Sequence, residues 1–219
     1  MPTPVDATRR RLLAAATAGL GLAACADPSR AARQLLTTPP QTPGPFYPAQ
    51  LPLDRDNDLV TVDGQAGQAQ GEIVELTGRV LDDRGQPIGN ARIEIWQCNA
   101  FGRYHHPRDR RDAPLDPGFQ GYGQFVTSAD GGYRFRTIRP VPYPGRTPHI
   151  HVAVQGPGFE RLVSQIYVKG EPGNNRDFLF NALPPAARQR VLVDFQPAPT
   201  GLDASRLGRF DLVLPNFAA

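Results

Sequence analysis

The chain has 219 residues, room for one domain and an N-terminal appendage. Its 22 Gly and 24 Pro suit a turn-rich β protein, and 40% hydrophobic residues spread along the chain exclude wholesale disorder. Two of the three net positive charges fall in the first 24 residues, where Arg9, Arg10 and Arg11 face Asp6; the rest is near neutral and has no basic stripe with interleaved aromatics, so no nucleic-acid partner is expected.

Residues 1–25 read as an export signal. Arg9, Arg10 and Arg11, followed by Leu12 and Leu13, resemble a twin-arginine motif. The apolar run after them is about 13 residues, too short to span a bilayer core of about 30 Å and suited to a signal h-region. It ends in Leu22-Ala23-Ala24-Cys25, which resembles a lipobox with Cys25 as the lipidated mature N-terminus. The expected location is therefore periplasmic, or on a membrane through that lipid. With Cys25 lipidated, Cys98 stands alone and no disulfide forms within the chain. Residues 26–40 read as a linker and 41–219 as the domain.

Within the domain, Thr42-Pro43-Gly44-Pro45-Phe46-Tyr47-Pro48 is a rigid aromatic loop, and 54–71 is a polar, glycine-rich one. Ile73, Val74, Leu76 and Val80 mark a strand that ends at the turn 82–85. Residues 91–96 alternate apolar and polar and predict a half-buried strand. A long polar loop, 99–121, follows. Residues 125–127 and 133–137 flank Ser128-Ala129-Asp130-Gly131-Gly132 and predict a hairpin. Residues 150–154, 162–168 and 210–214 are further strands, and 184–192 is the one helix signalled, with Pro in its first turn. Six or seven short strands between turns imply an all-β, antiparallel β-sandwich whose long loops carry function.

The chemistry concentrates in Tyr143-Pro144-Gly145-Arg146-Thr147-Pro148-His149-Ile150-His151. On a strand, the two histidines point to one face and Ile150 to the other. Two such imidazoles are half of a metal site. Glu160, Cys98, His105 and His106 are not convincingly placed to complete it. Phenols are the alternative donors: a hard trivalent cation lowers a phenol's pKa from about 10. Two phenolates and a hydroxide balance Fe(III), with neutral imidazoles filling the remaining positions. Tyr104 and Tyr143 are suitable candidates. Taken singly, a tyrosine in a proline-rich turn packs against the prolines, and a lone histidine is a core residue.

Several segments together resemble the intradiol ring-cleavage dioxygenases, most of all the iron-binding chains of the protocatechuate type. They are Ile95-Trp96-Gln97-Cys98-Asn99-Ala100 with Gly102-Arg103-Tyr104, Ala113-Pro114-Leu115-Asp116-Pro117, Phe135-Arg136-Thr137-Ile138, Pro142-Tyr143-Pro144 and His149-Ile150-His151. The resemblance implies Fe(III) held by Tyr104, Tyr143, His149 and His151, with a catechol-type substrate and O2 giving a cis,cis-muconate-type product. It implies that Tyr143 leaves the metal with a substrate proton, that Arg146 stabilises developing negative charge, and that Gln165 orients substrate and arginine. Pro45 and Phe46 would wall the pocket. Gly145 stands where protocatechuate-type chains have tryptophan, and Tyr143 precedes His149 by a shorter span than in the best-known members. The loop around Pro45 belongs to a partner chain in those enzymes, which here implies a homo-oligomer or a self-contained pocket. The competing expectation is an exported transthyretin-like or carboxypeptidase-regulatory-like binding module, suggested by Gly78-Arg79-Val80-Leu81-Asp82 and Asp130-Gly131-Gly132-Tyr133.

Overall fold

Ten strands and a few short helical turns form residues 34–216, the part of the chain that the computed structural model describes. One sheet is built on β1 (Ile73–Asp82), flanked by β4 (Gly132–Ile138) on one edge. Along its other edge lie β9 (Arg206–Arg209) and then β10 (Leu212–Leu214), with β8 (Phe195–Pro197) outside β9. The second sheet runs in the order β3 (Tyr122–Val126), β2 (Arg92–Trp96), β5 (His149–Gln155), β6 (Leu162–Val168), β7 (Leu192–Val193). One apolar core joins the two: Val74, Leu76, Val80 and Phe135 of the first sheet share it with Ile93, Ile95, Ile150, Val152 and Ile166 of the second.

The expected all-antiparallel arrangement is corrected. Both sheets are mixed, since β9 and β10 run parallel to β1, and β7 parallel to β6. A parallel pair needs a long crossover, and the chain supplies one between β6 and β7, holding α1 (Phe178–Ala182), α2 (Pro185–Arg188) and 3₁₀ turns at Pro172–Arg176 and Gln189–Val191. The helix expected over 184–192 is thus cut to α2 and a 3₁₀ turn, because Val191 is pulled into the interior and Leu192 starts β7. The five-residue α1 was not signalled; it forms because the Asp177 side chain accepts the N–H groups of Leu179 and Phe180.

The expected hairpin at 125–137 is also corrected. The turn forms, with Gly131 N–H donating to Ser128 O at 2.9 Å, but β3 pairs with β2 and β4 with β1. The same turn residues serve a strand that changes sheet. The loop 54–71 is less solvated than its composition implied, since Leu59, Val60 and Ala69 enter the core.

The expected leader, 1–25, lies outside the described residues. Of the expected linker, residues 34–40 are not free chain. Leu35 N–H donates to Asp83 O at 2.7 Å and Thr38 N–H to Val213 O at 2.9 Å, while the Thr38 hydroxyl accepts the Val213 N–H. A proline-rich segment without sheet partners of its own finds them on the domain. Among the described residues, no helix is long and apolar enough to cross a membrane.

Candidate metal centre

Strand β5 sets the site by its alternation. Ile150, Val152 and Val154 face the core, which turns His149, His151 and Ala153 to the opposite face of the second sheet. That face is covered by a second aromatic cluster of Trp96, Cys98, Tyr104 and Tyr122, with Phe46, Tyr47 and Tyr143 against it. Register supplies the neighbours: His151 lies opposite Trp96 on β2 and opposite Gln165 on β6, and His149 opposite Tyr167.

Tyr143 comes in on a tight turn. Arg146 N–H donates to Tyr143 O at 2.9 Å, and Gly145 has φ +83. Pro144 and Gly145 are the central residues that a type II turn selects, glycine being needed where φ is positive. The short span between Tyr143 and His149 therefore folds back through a turn. Tyr104 arrives from the long loop after β2. The four candidate ligands converge: ring centroids are 5.5 Å apart for Tyr143 and His149, 4.8 Å for His149 and His151, 5.7 Å for Tyr104 and Tyr143, and 6.2 Å for Tyr104 and His151.

The polar atoms in this cluster are arranged to receive something. His149 Nδ1–H donates to Thr147 O at 2.7 Å, which leaves Nε2 with its lone pair. That Nε2 is 3.3 Å from His151 Nε2. Such a separation suits neighbouring ligands on one ion with metal–nitrogen bonds of about 2.1 Å. The His151 ring is held by stacking on Trp96, with centroids 4.9 Å and planes 4° apart. Its Nδ1 is buried without a partner, as is the Tyr104 hydroxyl. A buried phenol with no hydrogen bond calls for an explanation, and a hard cation beside two imidazoles gives one. Among the described residues no three His, Cys, Asp or Glu gather as metal ligands; the set depends on its phenols. These residues fit Fe(III).

Electrostatics point the same way. Burial, reinforced by the Arg146 charge, pushes His149 down to about 4, and burial with the neighbouring His149 pushes His151 well below its ordinary value. Both rings are neutral at neutral pH. Burial, then Tyr143, raises Tyr104 well above 10, so without a cation it keeps its proton. Burial also raises Tyr143, with Arg146 pulling the other way.

Arg146 and Gln165 form one unit. Arg146 Nε donates to Asp177 Oδ2 at 2.8 Å, and its Nη2 to Gln165 Oε1 and, at 3.3 Å, to the Tyr167 hydroxyl. Gln165 Nε2 donates to Thr42 O at 3.0 Å, and the Tyr167 hydroxyl donates to Gln41 Oε1 at 2.8 Å. Burial opposes the guanidinium charge, but the Asp177 carboxylate more than offsets this and raises its pKa. Arg146 is thus paired with an acid, and its charge acts on Tyr143, His149 and His151.

The pocket-wall candidates separate. Phe46 stacks on Tyr104 at 4.8 Å and lines a cavity of about 1120 Å³ together with Leu53, Trp96, Tyr104 and Leu115. Tyr104 is the one candidate ligand on that cavity's wall. Pro45 acts through its carbonyl, which accepts from Arg108 Nη2 at 2.6 Å. Gly145 is exposed and lines a smaller cavity of about 220 Å³ beside Arg146 and Asp177. The loop carrying Phe46 crosses directly over the site: Gly44 has φ +68, and a Cβ there would lie 3.2 Å from His151 Cε1.

Sequence reading missed Thr147, Asp177, Gln41 and Tyr167. Tyr167 was available from its two-residue spacing to Gln165 on one strand, and Asp177 as a helix cap. The Asp177–Arg146 pairing spans 31 positions and has no local signal.

Comparison with known proteins agrees with this geometry. Residues 42–216 match the family model described as dioxygenase. The chain is 43% identical over 179 residues to a protocatechuate 3,4-dioxygenase beta chain of Burkholderia cepacia, covering 78% of this chain and 76% of that one. It is 33% identical to a hydroxyquinol 1,2-dioxygenase of Rhizobium sp. (strain MTP-10005), covering 75% of this chain but only 57% of that relative. Among solved structures, the dioxygenase domain of a dioxygenase–carbohydrate-binding protein fusion from Streptomyces sp. SirexAA-E superposes with a TM-score of 0.63 at 33% identity, covering 82% of this chain and 98% of that one. These matches set aside the binding-module alternative. With its matched region running through the whole convergent site, the chain belongs to the intradiol ring-cleavage dioxygenases, a family of oxidoreductases.

Proposed function

We propose that this chain uses Fe(III), held by Tyr104, Tyr143, His149 and His151, to cleave a catechol-type ring with O2 to a cis,cis-muconate-type product. The observation that carries this is the orphaned, buried Tyr104 hydroxyl beside two imidazole Nε2 atoms 3.3 Å apart. Bound there, Fe(III) supplies Lewis acidity that ionises phenols and makes a bound diol electron-rich toward O2.

The chain's own residues do the rest. Thr147 O fixes the His149 tautomer, and Trp96 fixes the plane of His151. Tyr143, on its tight turn and only partly buried, would be the ligand that gives way to substrate and holds a substrate proton on its oxygen. Arg146, held by Asp177 and Gln165, keeps a fixed cation next to the reacting ring and stabilises negative charge that develops there. Phe46, Trp96 and Tyr122 pack apolar ring surface around Tyr104 and lower the polarity beside it.

The test is colour and turnover. Protein purified with iron should absorb visible light through its tyrosinates and consume O2 with catechols. Tyr104→Phe and His151→Ala should each lose both. A colourless protein after iron reconstitution, or turnover surviving either change, refutes the assignment. A panel of catechol, hydroxyquinol and protocatechuate in the same oxygen-uptake assay identifies the substrate.

We further propose export through the leader at 1–25 with lipid on Cys25, on the sequence signals alone. Radiolabelled palmitate incorporation that is lost in Cys25→Ser tests it. The Pro45 loop of one chain reaches its own Tyr104 and His151, which favours a self-contained pocket over a homo-oligomer, and sedimentation of the folded protein tests this.

A further inference from the structure

A charged pair outside this scheme connects the two phenols. The Asp109 side chain is 1% exposed and accepts the Tyr104 backbone N–H at 2.8 Å. It also takes a two-pronged bond from Arg111, through Nε at 2.7 Å and through Nη2. The Arg111 guanidinium then lies over the Tyr143 ring, 4.7 Å from its centroid, and 5.6 Å from that of Phe46. Phe46 in turn stacks on Tyr104. Arg111 Nη1 is shut off from solvent and has no acceptor. The ring face of Tyr143 explains this donor, as an aromatic face receives both cations and N–H groups.

These contacts close a circuit: Tyr104 backbone, Asp109, Arg111, Tyr143 ring, Tyr104 ring. Tyr104 and Tyr143 come from loops 39 positions apart in the chain, and nothing in either loop alone fixes one ring against the other. Resting on the Fe(III) reading above, we infer that Arg111 is a positioning residue. With Asp109 it sets the angle and spacing of the two phenols that receive the metal. A lysine could keep the charge over Tyr143 but not the planar fork to Asp109.

The experiment uses the full chain and its Arg111→Gln, Arg111→Lys and Arg110→Gln variants, Arg110 being an exposed neighbour. Ferric iron is the probe. Retention is measured by chelator competition, phenol placement by the visible band, and folding by far-UV circular dichroism. Arg111→Gln should bind iron about 10–100-fold more weakly, the range for groups that orient metal ligands, with a shifted band and an unchanged fold. Arg111→Lys should fall between it and the parent, and Arg110→Gln should match the parent.

Parent-like retention and band in Arg111→Gln overturn the inference. Should that variant not fold, the same parent-like result in Arg111→Lys overturns it, because the fork is gone. Unchanged retention with a KM increase confined to carboxylate-bearing catechols assigns Arg111 to substrate binding and also overturns it. A parent that binds no iron removes the Fe(III) reading itself, whatever the variants do.

Discussion

Asp177 offers the sharpest quantitative test. Its side chain is fully buried, and its two oxygens have separate tasks. Oδ1 accepts the N–H groups of Leu179 and Phe180, each at 3.0 Å, and so caps α1. Oδ2 accepts Arg146 Nε at 2.8 Å and Thr147 N–H at 3.0 Å. Asp177→Asn keeps an oxygen for the cap, at which Asn and Asp are equivalent, but sets an amide donor against two donors at the site. Removing one partner of a buried ion pair costs about 3–5 kcal/mol. Asp177→Ala should lose about 1 kcal/mol more, for the cap. Against a total stability of about 5–15 kcal/mol, either change is severe. Urea unfolding followed by circular dichroism should show the midpoint falling in the order parent, Asn, Ala with unchanged slope. An Asn variant within about 1 kcal/mol of the parent would show that the pair contributes no net stability, and the account of Arg146 as a cation fixed by Asp177 would fail.

Three further outcomes are expected. In the metal-free protein the folded-state pKa of His149, about 4, lies below its unfolded value of about 6.5, so the unfolded chain takes up the proton first. Stability from this group is complete above about pH 6.5 and is lost as the pH falls toward 4, by about 3 kcal/mol at 1.36 kcal/mol per unit; a metal-free protein melting higher at pH 5 than at pH 7 would contradict this. Gly44→Ala and Gly145→Ala both force a side chain into positive φ, at about 1–2 kcal/mol each. Only Gly44 faces His151, so Gly44→Ala alone should also shift the visible band; equal spectra for the two variants would remove the claim that the Gly44 loop presses on that ring. Iron at about 1,000 times its dissociation constant should raise stability by about 4 kcal/mol, reversed by chelator, and calorimetry with and without iron checks it.

The parts of the site legible in the sequence are those set by short spacing. The pattern His149-Ile150-His151 declares its faces through the two-residue repeat, and Ile150 in the core confirms it. The residues Pro144 and Gly145 specify the turn that brings Tyr143 back. Phenolate chemistry made Tyr104 a candidate, family resemblance singled out Arg146 and Gln165, and the structure gathers all three around the histidines. What stayed hidden was pairing at a distance. Nothing in Leu212 or Val213 says that they run parallel to β1, because a strand's apolar pattern fixes which face is buried and not which neighbour lies alongside. Composition likewise misled at 34–40 and at Leu59 and Val60, where proline- and glycine-rich sequence is tied down by partners far along the chain.

The segment 34–44 gives the molecule an order of assembly in time. Thr38 is bonded to Val213, 175 positions later, and Gln41 to Tyr167, 126 positions later. This segment can meet Asp83 early, but its partners on β6 and its partner Val213 are made only later. At about 5–20 residues per second, it waits for about 10–35 s. The loop bearing Gly44 and Phe46 follows directly and is tied at Gln41 and Thr42 to Tyr167 and Gln165 on β6, so the covering of His151 comes only after β6 is made. Until then this strap does not cover His151, and loading of the proposed Fe(III) would precede its closing.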